Sequence, residues 1–148
     1  MTALPQKPNN SRGWRDTYYH RLLGLKAAQR VERILPLFEQ ERPDDERPRR
    51  AIAVLRAWAE GNRELSMPEV RRLSLAAHAA AKEAVTEAAK CVAHAAGQAV
   101  GTWHVPTHAL GAFEYAGRAF ILKRLASGTA PKRRPRATDK KAEPGRRG

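Results

Sequence analysis

Residues 66–102 read SMPEVRRLSLAAHAAAKEAVTEAAKCVAHAAGQAVGT, an alanine-rich stretch without the period-two alternation of a β-strand. Ser66 is a natural N-cap, with Glu69 as its capping-box partner and Pro68 tolerated in the first helical turn. A single helix of this length would be unusual in a globular protein. The stretch therefore predicts two helices, with a break or kink near Thr86.

Small residues occur in these helices at positions that would face other helices. Glycine inside a helix costs about 1 kcal/mol relative to alanine, so its presence requires a compensating gain. Close approach of neighbouring helix backbones supplies such a gain. The residues expected at these contacts are Ala76, Ala77, Ala80, Ala84, Ala88, Ala95 and Ala99, with Gly97, Gly101 and Gly111.

Two further helical segments precede this stretch. In residues 27–40, AAQRVERILPLFEQ, the apolar residues fall on one side of a helix, which Pro36 must kink or split. In residues 44–61, DDERPRRAIAVLRAWAEG, Asp44 or Asp45 is the expected N-cap and the final glycine ends the helix. Both segments therefore add helices with one apolar face.

A last helix is predicted over residues 107–126, after a break at Pro106. Glu114 and Arg118 would form an i,i+4 ion pair on its outer side. The residues expected to face inward are Leu110, Phe113, Ala116, Gly117 and Phe120. The predicted fold is all-α, a compact bundle of five or six helices with close packing through small residues.

The two ends of the chain differ in composition from the helical body. Of the formal net charge of +13, the last eighteen residues carry +6, from eight basic and two acidic side chains. This tail has no aliphatic residue larger than alanine, so it cannot bury enough surface to offset the entropy of ordering. The sequence therefore predicts one helical domain over residues 17–128, with disordered ends at 1–16 and 129–148.

The composition also favours a cellular location and a class of activity. Cys91 is the only cysteine, which fits a reducing compartment. No run of about 18 apolar residues is present to span a membrane, and the first residues lack the apolar core of a signal peptide. We therefore expect a cytoplasmic protein. Because no nucleophile–base set or phosphate-binding glycine loop is present, we expect a protein that is not an enzyme and needs no metal or cofactor.

Three stretches resemble the immunity protein family of bacterial polymorphic toxin systems, an all-helical family. They are LPLFEQERPDDERPRRAIAVLRAWAEG at 35–61, VRRLSLAAHAAAKEA at 70–84 and AAGQAVGTWHVPTHALGAFEYA at 95–116. The resemblance covers about residues 25–125 and leaves the basic tail outside. It implies a protein that binds and neutralises a cognate toxin domain by protein–protein contact, without chemistry of its own. Gln98 stands where many relatives are expected to carry a histidine.

Two motifs supply the candidate partner-binding residues. The acids and arginines of DDERPR either cap the helix and pair with each other or contact the toxin. The histidines of HVPTH either form hydrogen bonds across a helix junction, contact the toxin, or form one edge of a metal site. The third ligand of such a site would be His78, His94, Glu114 or Glu83. His78 and His94, each surrounded by alanines, are expected to be core or groove histidines with satisfied hydrogen bonds. The candidate contact residues are Asp44, Asp45, Arg47, Arg49, His78, His104, His108 and Tyr115.

The basic tail supports an alternative function. Lysine and arginine side chains bind nucleic-acid phosphates without sequence preference, and the affinity falls steeply as salt rises. The residues that would make such contacts are Lys132, Arg133, Arg134 and Arg136. A small basic helical protein that binds nucleic acid through its tail is therefore the second interpretation of the sequence.

Overall fold

Alpha helices form all of the regular structure in residues 17–128, the part of the chain that the computed structural model describes. The helices are α1 (Tyr18–Glu32), α2 (Leu35–Glu39), α3 (Arg47–Ala59), α4 (Met67–Glu83), α5 (Glu87–Gly101) and α6 (His108–Ala126). The prediction of an all-α bundle of five or six helices is confirmed. The predictions of disorder at 1–16 and 129–148 lie outside the described residues.

Helix α5 lies at the centre of the bundle. Helices α4 and α6 pack along it, and α1, α2 and α3 also contact it. Small side chains allow this position, since the buried residues of α5 are all alanine, valine or glycine. The other helices contribute the bulk of the core, and its largest fully buried side chains are Trp58, Phe38, Leu35, Ile52 and Leu55. The predicted close packing through small residues is therefore confirmed.

Three helix boundaries follow from local sequence signals, as predicted. Pro36 lies in the first turn of α2, where its missing N–H leaves no helical hydrogen bond unmade. Thr86 is the N-cap of α5, and its hydroxyl accepts a hydrogen bond from the Ala89 N–H at 3.2 Å. After α3 ends, Gly61 adopts a φ of +81°. The Asn62 N–H then donates to the Ala57 carbonyl, which completes a Schellman turn.

The predicted cap of α3 is wrong. The N-cap is Glu46 rather than Asp44 or Asp45, and the helix begins at Arg47. The Asp45 carboxylate lies one residue further out, where it accepts a hydrogen bond from the Arg47 N–H at 3.2 Å. From outside the cap position, Asp45 therefore still accepts a hydrogen bond from an N–H of the first turn that has no partner within the helix.

The predicted capping box of α4 is also absent. Ser66 occupies the N-cap position, but its hydroxyl makes no capping hydrogen bond. Glu69 pairs instead with the guanidinium of Arg63 in the preceding loop. A charged donor forms a stronger hydrogen bond with a carboxylate than a backbone N–H does, which explains why Glu69 does not turn back to the cap.

The predicted inner face of α6 is right in part, since Ala116 is buried and Phe113 packs against the core. Leu110 and Phe120 were expected inside, yet their exposed fractions are 67% and 51%. The buried residues of α6 are all alanines: Ala109, Ala112, Ala116 and Ala119. Because α5 presents small residues, α6 approaches closely through its own alanine stripe and leaves Leu110 and Phe120 exposed. Even so, none of the helices in residues 17–128 is both long and apolar enough to cross a membrane.

Candidate functional site

Most of the predicted contact residues lie on two separate surfaces. The first, which we call the arginine corner, consists of Arg42, Asp45, Arg47 and Glu83. It joins the start of α3 to the end of α4. The second, which we call the histidine groove, is the outer surface of α5 between α4 and α6. It carries His78, His94, Gln98, His108 and Tyr115.

Asp45 is the centre of the arginine corner. Its carboxylate accepts hydrogen bonds from Arg47 Nη2 at 2.7 Å and from Arg42 Nε at 3.2 Å. Arg47 Nη2 also donates to Glu83 Oε2, at 2.5 Å, and Arg42 Nη2 donates to the same oxygen at 3.2 Å. Two acids and two arginines therefore form one closed network that holds α3 against the end of α4.

The network shifts the pKa values of its members. Hydrogen bonds from Arg47 lower the pKa of Asp45 to about 2, against the opposing effect of partial burial. The same arginine lowers the pKa of Glu83, again mainly through its hydrogen bond. Both acids are therefore fully ionised at neutral pH. Their charges are satisfied inside the protein, as expected for residues with a structural role.

The remaining predicted residues of this motif lie apart from the network. Asp44 is exposed. Arg49 points towards α2 and pairs with Glu39, with its Nε and Nη2 2.5 Å and 2.6 Å from the two carboxylate oxygens. The structure therefore brings Asp45 and Arg47 together and separates Arg49 from them.

A groove of about 530 Å³ runs beside the arginine corner, between α3 and α4. Asp44, Asp45, Arg47 and Arg72 are among the residues that line it. Its acidic and basic side chains are equal in number, four of each. The α3–α4 groove therefore carries no net charge.

The histidine groove contains a pair that the sequence did not reveal. His78 on α4 and His94 on α5 place their Nδ1 atoms 2.7 Å apart, so one ring donates a hydrogen bond and the other accepts it. The His94 ring stacks on Tyr115 of α6, with 5.1 Å between the ring centroids. The guanidinium of Arg118 lies 5.5 Å from the Tyr115 centroid, within cation–π range. Four side chains thus connect α4, α5 and α6 across the groove.

A second polar pair lies further along the groove. His108, the first residue of α6, has its Nδ1 2.8 Å from Gln98 Oε1 on α5. Because an amide oxygen only accepts hydrogen bonds, the protonated ring nitrogen is the donor of this hydrogen bond. The expectation that His108 forms a hydrogen bond across the helix junction is confirmed. Gln98, noted only as a difference from relatives, is its partner.

The glycines of α5 and α6 make room for these polar side chains. A Cβ atom at Gly97 would lie 2.6 Å from His78 Nε2, and one at Gly111 would lie 2.9 Å from Gln98 Oε1. A Cβ at Gly101 would approach the His108 ring to 3.2 Å. The predicted close contacts at these glycines are present, and each one accommodates a polar side chain from a neighbouring helix.

Burial keeps the histidine pair neutral. Desolvation is the main reason that the pKa of His78 is lowered, and repulsion from the neighbouring His94 adds to it. Desolvation also lowers the pKa of His94, with a further contribution from Lys82. Neutral imidazoles are hydrogen-bonding groups rather than charges at physiological pH. The pair therefore provides shape and polarity and does not carry positive charge.

His104 and His108 line one small pocket, of about 160 Å³, at the end of the groove. The pocket lies between the start of α4, the end of α5 and the turn before α6, and it also includes Arg71 and Leu75. The Nδ1 atom of His104 is buried and has no hydrogen-bond partner in residues 17–128. His104 therefore does not form the junction hydrogen bond expected of it.

The predicted histidines do not assemble a metal site in this structure. Across residues 17–128, no three histidine, cysteine or acidic side chains come close enough to hold a metal ion. Cys91 lies on the outer side of α5, and burial raises the pKa of its thiol. A raised pKa favours the thiol over the reactive thiolate. The chemistry that these surfaces offer is therefore hydrogen bonding, stacking and charge.

Sequence reasoning missed the partners of several predicted residues. Arg42 and Glu83 complete the arginine corner, and His94 and Gln98 complete the two histidine contacts. The spacing of His94 and Gln98, four residues apart on one helix, indicates that they share a face. No local signal indicates which residues of α4 and α6 lie opposite that face.

The Imm-5 like putative immunity protein family model matches residues 15–142. This match corrects the extent expected from the resemblance, because it continues past residue 125 and includes the basic residues Lys132, Arg133, Arg134 and Arg136. No curated protein and no solved structure matches the chain. Since the family model covers most of the chain, this protein belongs to the Imm-5 like putative immunity protein family.

Proposed function

We propose that this protein is an immunity protein that binds a cognate toxin domain and neutralises it by protein–protein contact, without catalysing a reaction. The observation that carries the proposal is the family match over residues 15–142. Its place of action would be the cytoplasm of the cell that makes the toxin. The partner would be the toxin domain encoded beside it.

The two surfaces described above support binding as the mode of action. Both contain arginine or aromatic side chains, which frequently dominate protein–protein interfaces. The histidine groove also has an exposed apolar side chain at its edge, Leu75, with an exposed fraction of 64%. An apolar group among polar neighbours is the usual composition of an interface between separately stable proteins.

Co-expression with the adjacent toxin tests the proposal. Cells that express the toxin domain should stop growing, and growth should return when the full-length chain is also expressed. Purified together, the two proteins should form a one-to-one complex in size-exclusion chromatography. An unrelated toxin domain of similar size serves as the control and should give neither effect. If the adjacent toxin still kills the cells and forms no complex, the proposal is wrong.

A further inference from the structure

We propose that the toxin docks on the histidine groove and inserts an acidic side chain into the pocket at its end, next to Arg71 and His104. The inference rests on the proposed function and specifies which surface binds and what chemistry the partner offers. For clarity we call this cavity the anchor pocket.

Within residues 17–128, the lining of the anchor pocket contains an arginine and no acidic side chain. Its lining includes Arg71, His104 and His108 but no aspartate or glutamate. Arg71 is exposed and forms no ion pair with any residue in the described part of the chain. An arginine in a concave site without an acid matches the planar geometry of a carboxylate from another molecule.

His104 supplies a second group that the fold does not use. Its ring is half-buried, and it makes no hydrogen bond within residues 17–128. By contrast, His108 in the same pocket is engaged with Gln98. Buried polar groups in proteins are normally paired, so an imidazole and an arginine that share one pocket and have no partner in residues 17–128 indicate a partner from outside this part of the chain.

The positive charge continues along the edge of the groove. Arg71, Leu75, His78 and Lys82 follow one another at spacings of four, three and four residues, so they share one face of α4. Lys82 also lacks an ion pair in the described residues, and its charge contributes to lowering the pKa values of His78 and His94. This edge therefore presents a cation on each side of an exposed leucine, and neither cation has an ion pair in the described part of the chain.

The other candidate surface lacks these properties. In the arginine corner both arginines are neutralised by Asp45 and Glu83. The adjoining α3–α4 groove carries equal numbers of acidic and basic side chains. Complementary charge guides partner choice and association rate. Of the two surfaces in residues 17–128, the histidine groove is the one with unpaired cations at its edge, Arg71 and Lys82, which suit an acidic partner.

Two adjacent arginines provide a matched test. Arg71 and Arg72 are both exposed residues of α4, but Arg71 lines the anchor pocket and Arg72 lines the α3–α4 groove. Binding of the full-length Arg71→Glu and Arg72→Glu variants to the adjacent toxin domain would be measured by titration calorimetry. We expect Arg71→Glu to weaken binding at least about tenfold and Arg72→Glu to change it by less than about threefold. Equal thermal melting of both variants and the wild type shows that the fold is intact.

The remaining outcomes are also decisive. The inference is overturned if the two variants bind the toxin with equal affinity, or if Arg72→Glu binds it more weakly than Arg71→Glu does. If the wild-type chain itself does not bind the toxin, the proposed function fails and this inference fails with it. Should Arg71→Glu fold poorly, Lys82→Glu provides the second variant and must also weaken binding. As a further check, acidic residues on the toxin would be changed to arginine one at a time. The change at the residue that contacts position 71 should restore binding to the Arg71→Glu variant.

Discussion

Gly97 controls the histidine pair. The His78 ring occupies the space in which any side chain at position 97 would begin, because a Cβ there would lie 2.6 Å from Nε2. The Ser74 hydroxyl also donates to the Gly97 carbonyl, at 3.0 Å, so α4 approaches α5 at this residue by both a ring and a hydroxyl. A single missing methyl group therefore permits the polar contact between the two helices.

We predict opposite effects for alanine at two helical glycines. Gly97→Ala should lower the free energy of unfolding by about 1–3 kcal/mol, because the His78 ring must move and lose its hydrogen bond to His94. Gly117→Ala should raise it by up to about 1 kcal/mol, since nothing lies within 4 Å of its Cβ position and alanine favours the helix. Urea unfolding of both variants measures the difference. Equal stability of Gly97→Ala and the wild type would contradict the proposed role of this glycine.

The histidine pair should make the fold sensitive to mild acid. Because the folded pKa values of His78 and His94 lie below the ordinary value of 6.5, the unfolded chain binds protons more readily. Well above that pH the two histidines are neutral in both states, so the free energy of unfolding does not depend on their protonation. As pH falls below 6.5, the unfolded state gains protons first, so the free energy of unfolding decreases until the folded pair is also protonated.

A variant isolates this contribution from that of the carboxylates. His94→Gln keeps a polar side chain on α5 but removes one titrating group, so its unfolding free energy should change less between pH 7 and pH 5 than that of the wild type. Urea unfolding across this range is the measurement. If the two proteins lose stability in parallel, the histidine pair is not the cause of the acid sensitivity.

At the scale of the helices, two N-cap residues that both carry a hydroxyl group differ in whether that group caps the helix. The Thr86 hydroxyl caps α5 through the Ala89 N–H, whereas the Ser66 hydroxyl makes no such bond to α4. We therefore predict that Thr86→Ala lowers the free energy of unfolding by about 1 kcal/mol. Ser66→Ala should change it by less than about 0.5 kcal/mol. Chemical denaturation of both variants distinguishes them, and an equal loss at the two positions would contradict the prediction.

The arginine corner holds two helix ends together through one carboxylate. Asp45→Asn removes the charge that Arg42 and Arg47 share, and we predict a loss of about 1–3 kcal/mol in unfolding free energy at neutral pH. Asp44→Asn is the matched control, because Asp44 is exposed and makes no such contact. Urea unfolding of both variants at pH 7 measures this loss. Similar stability of the two variants would rule out this role for Asp45.

The same carboxylate predicts a second dependence on pH. The pKa of Asp45 is lowered from 3.8 to about 2, so its contribution to stability is complete above the unfolded value. That contribution is lost as pH falls from about 4 to about 2, because the unfolded state binds the proton first. In the Asp45→Asn variant this part of the acid transition should be missing. Thermal melting between pH 5 and pH 2 measures it.

At the scale of the whole molecule, the charged tail provides a test that distinguishes toxin binding from the alternative of nucleic-acid binding. The last eighteen residues carry a net charge of +6, and phosphate binding by such a segment weakens steeply as salt rises. We predict that a chain ending at Ala130 loses any binding to duplex DNA and still protects cells from the toxin. Filter binding at two salt concentrations and the growth assay are the measurements. Loss of protection in this shorter chain would indicate that the tail, much of which lies within the family match, contributes to toxin binding.

The sequence alone determined the helices and most of their limits. Pro36, Thr86 and Gly61 act within one turn of their own position, so capping and backbone rules predict their effects without knowledge of the fold. The apolar face of residues 28–38 is also confirmed, because its apolar side chains fall on one side at helical spacing and are buried together. Local rules failed at Glu69, where a charged neighbour competed for the carboxylate.

Only the tertiary structure decided which faces meet. His78 and His94 are sixteen residues apart on different helices, and their contact depends on the sliding and rotation of α4 against α5. In α6 both an alanine stripe and a stripe with leucine and phenylalanine have helical spacing, and the small-residue surface of α5 favours the alanines. The anchor pocket likewise forms from three helix ends that are distant in sequence. Helix formation is governed by local backbone geometry, whereas register between helices depends on the shape of every packed surface at once.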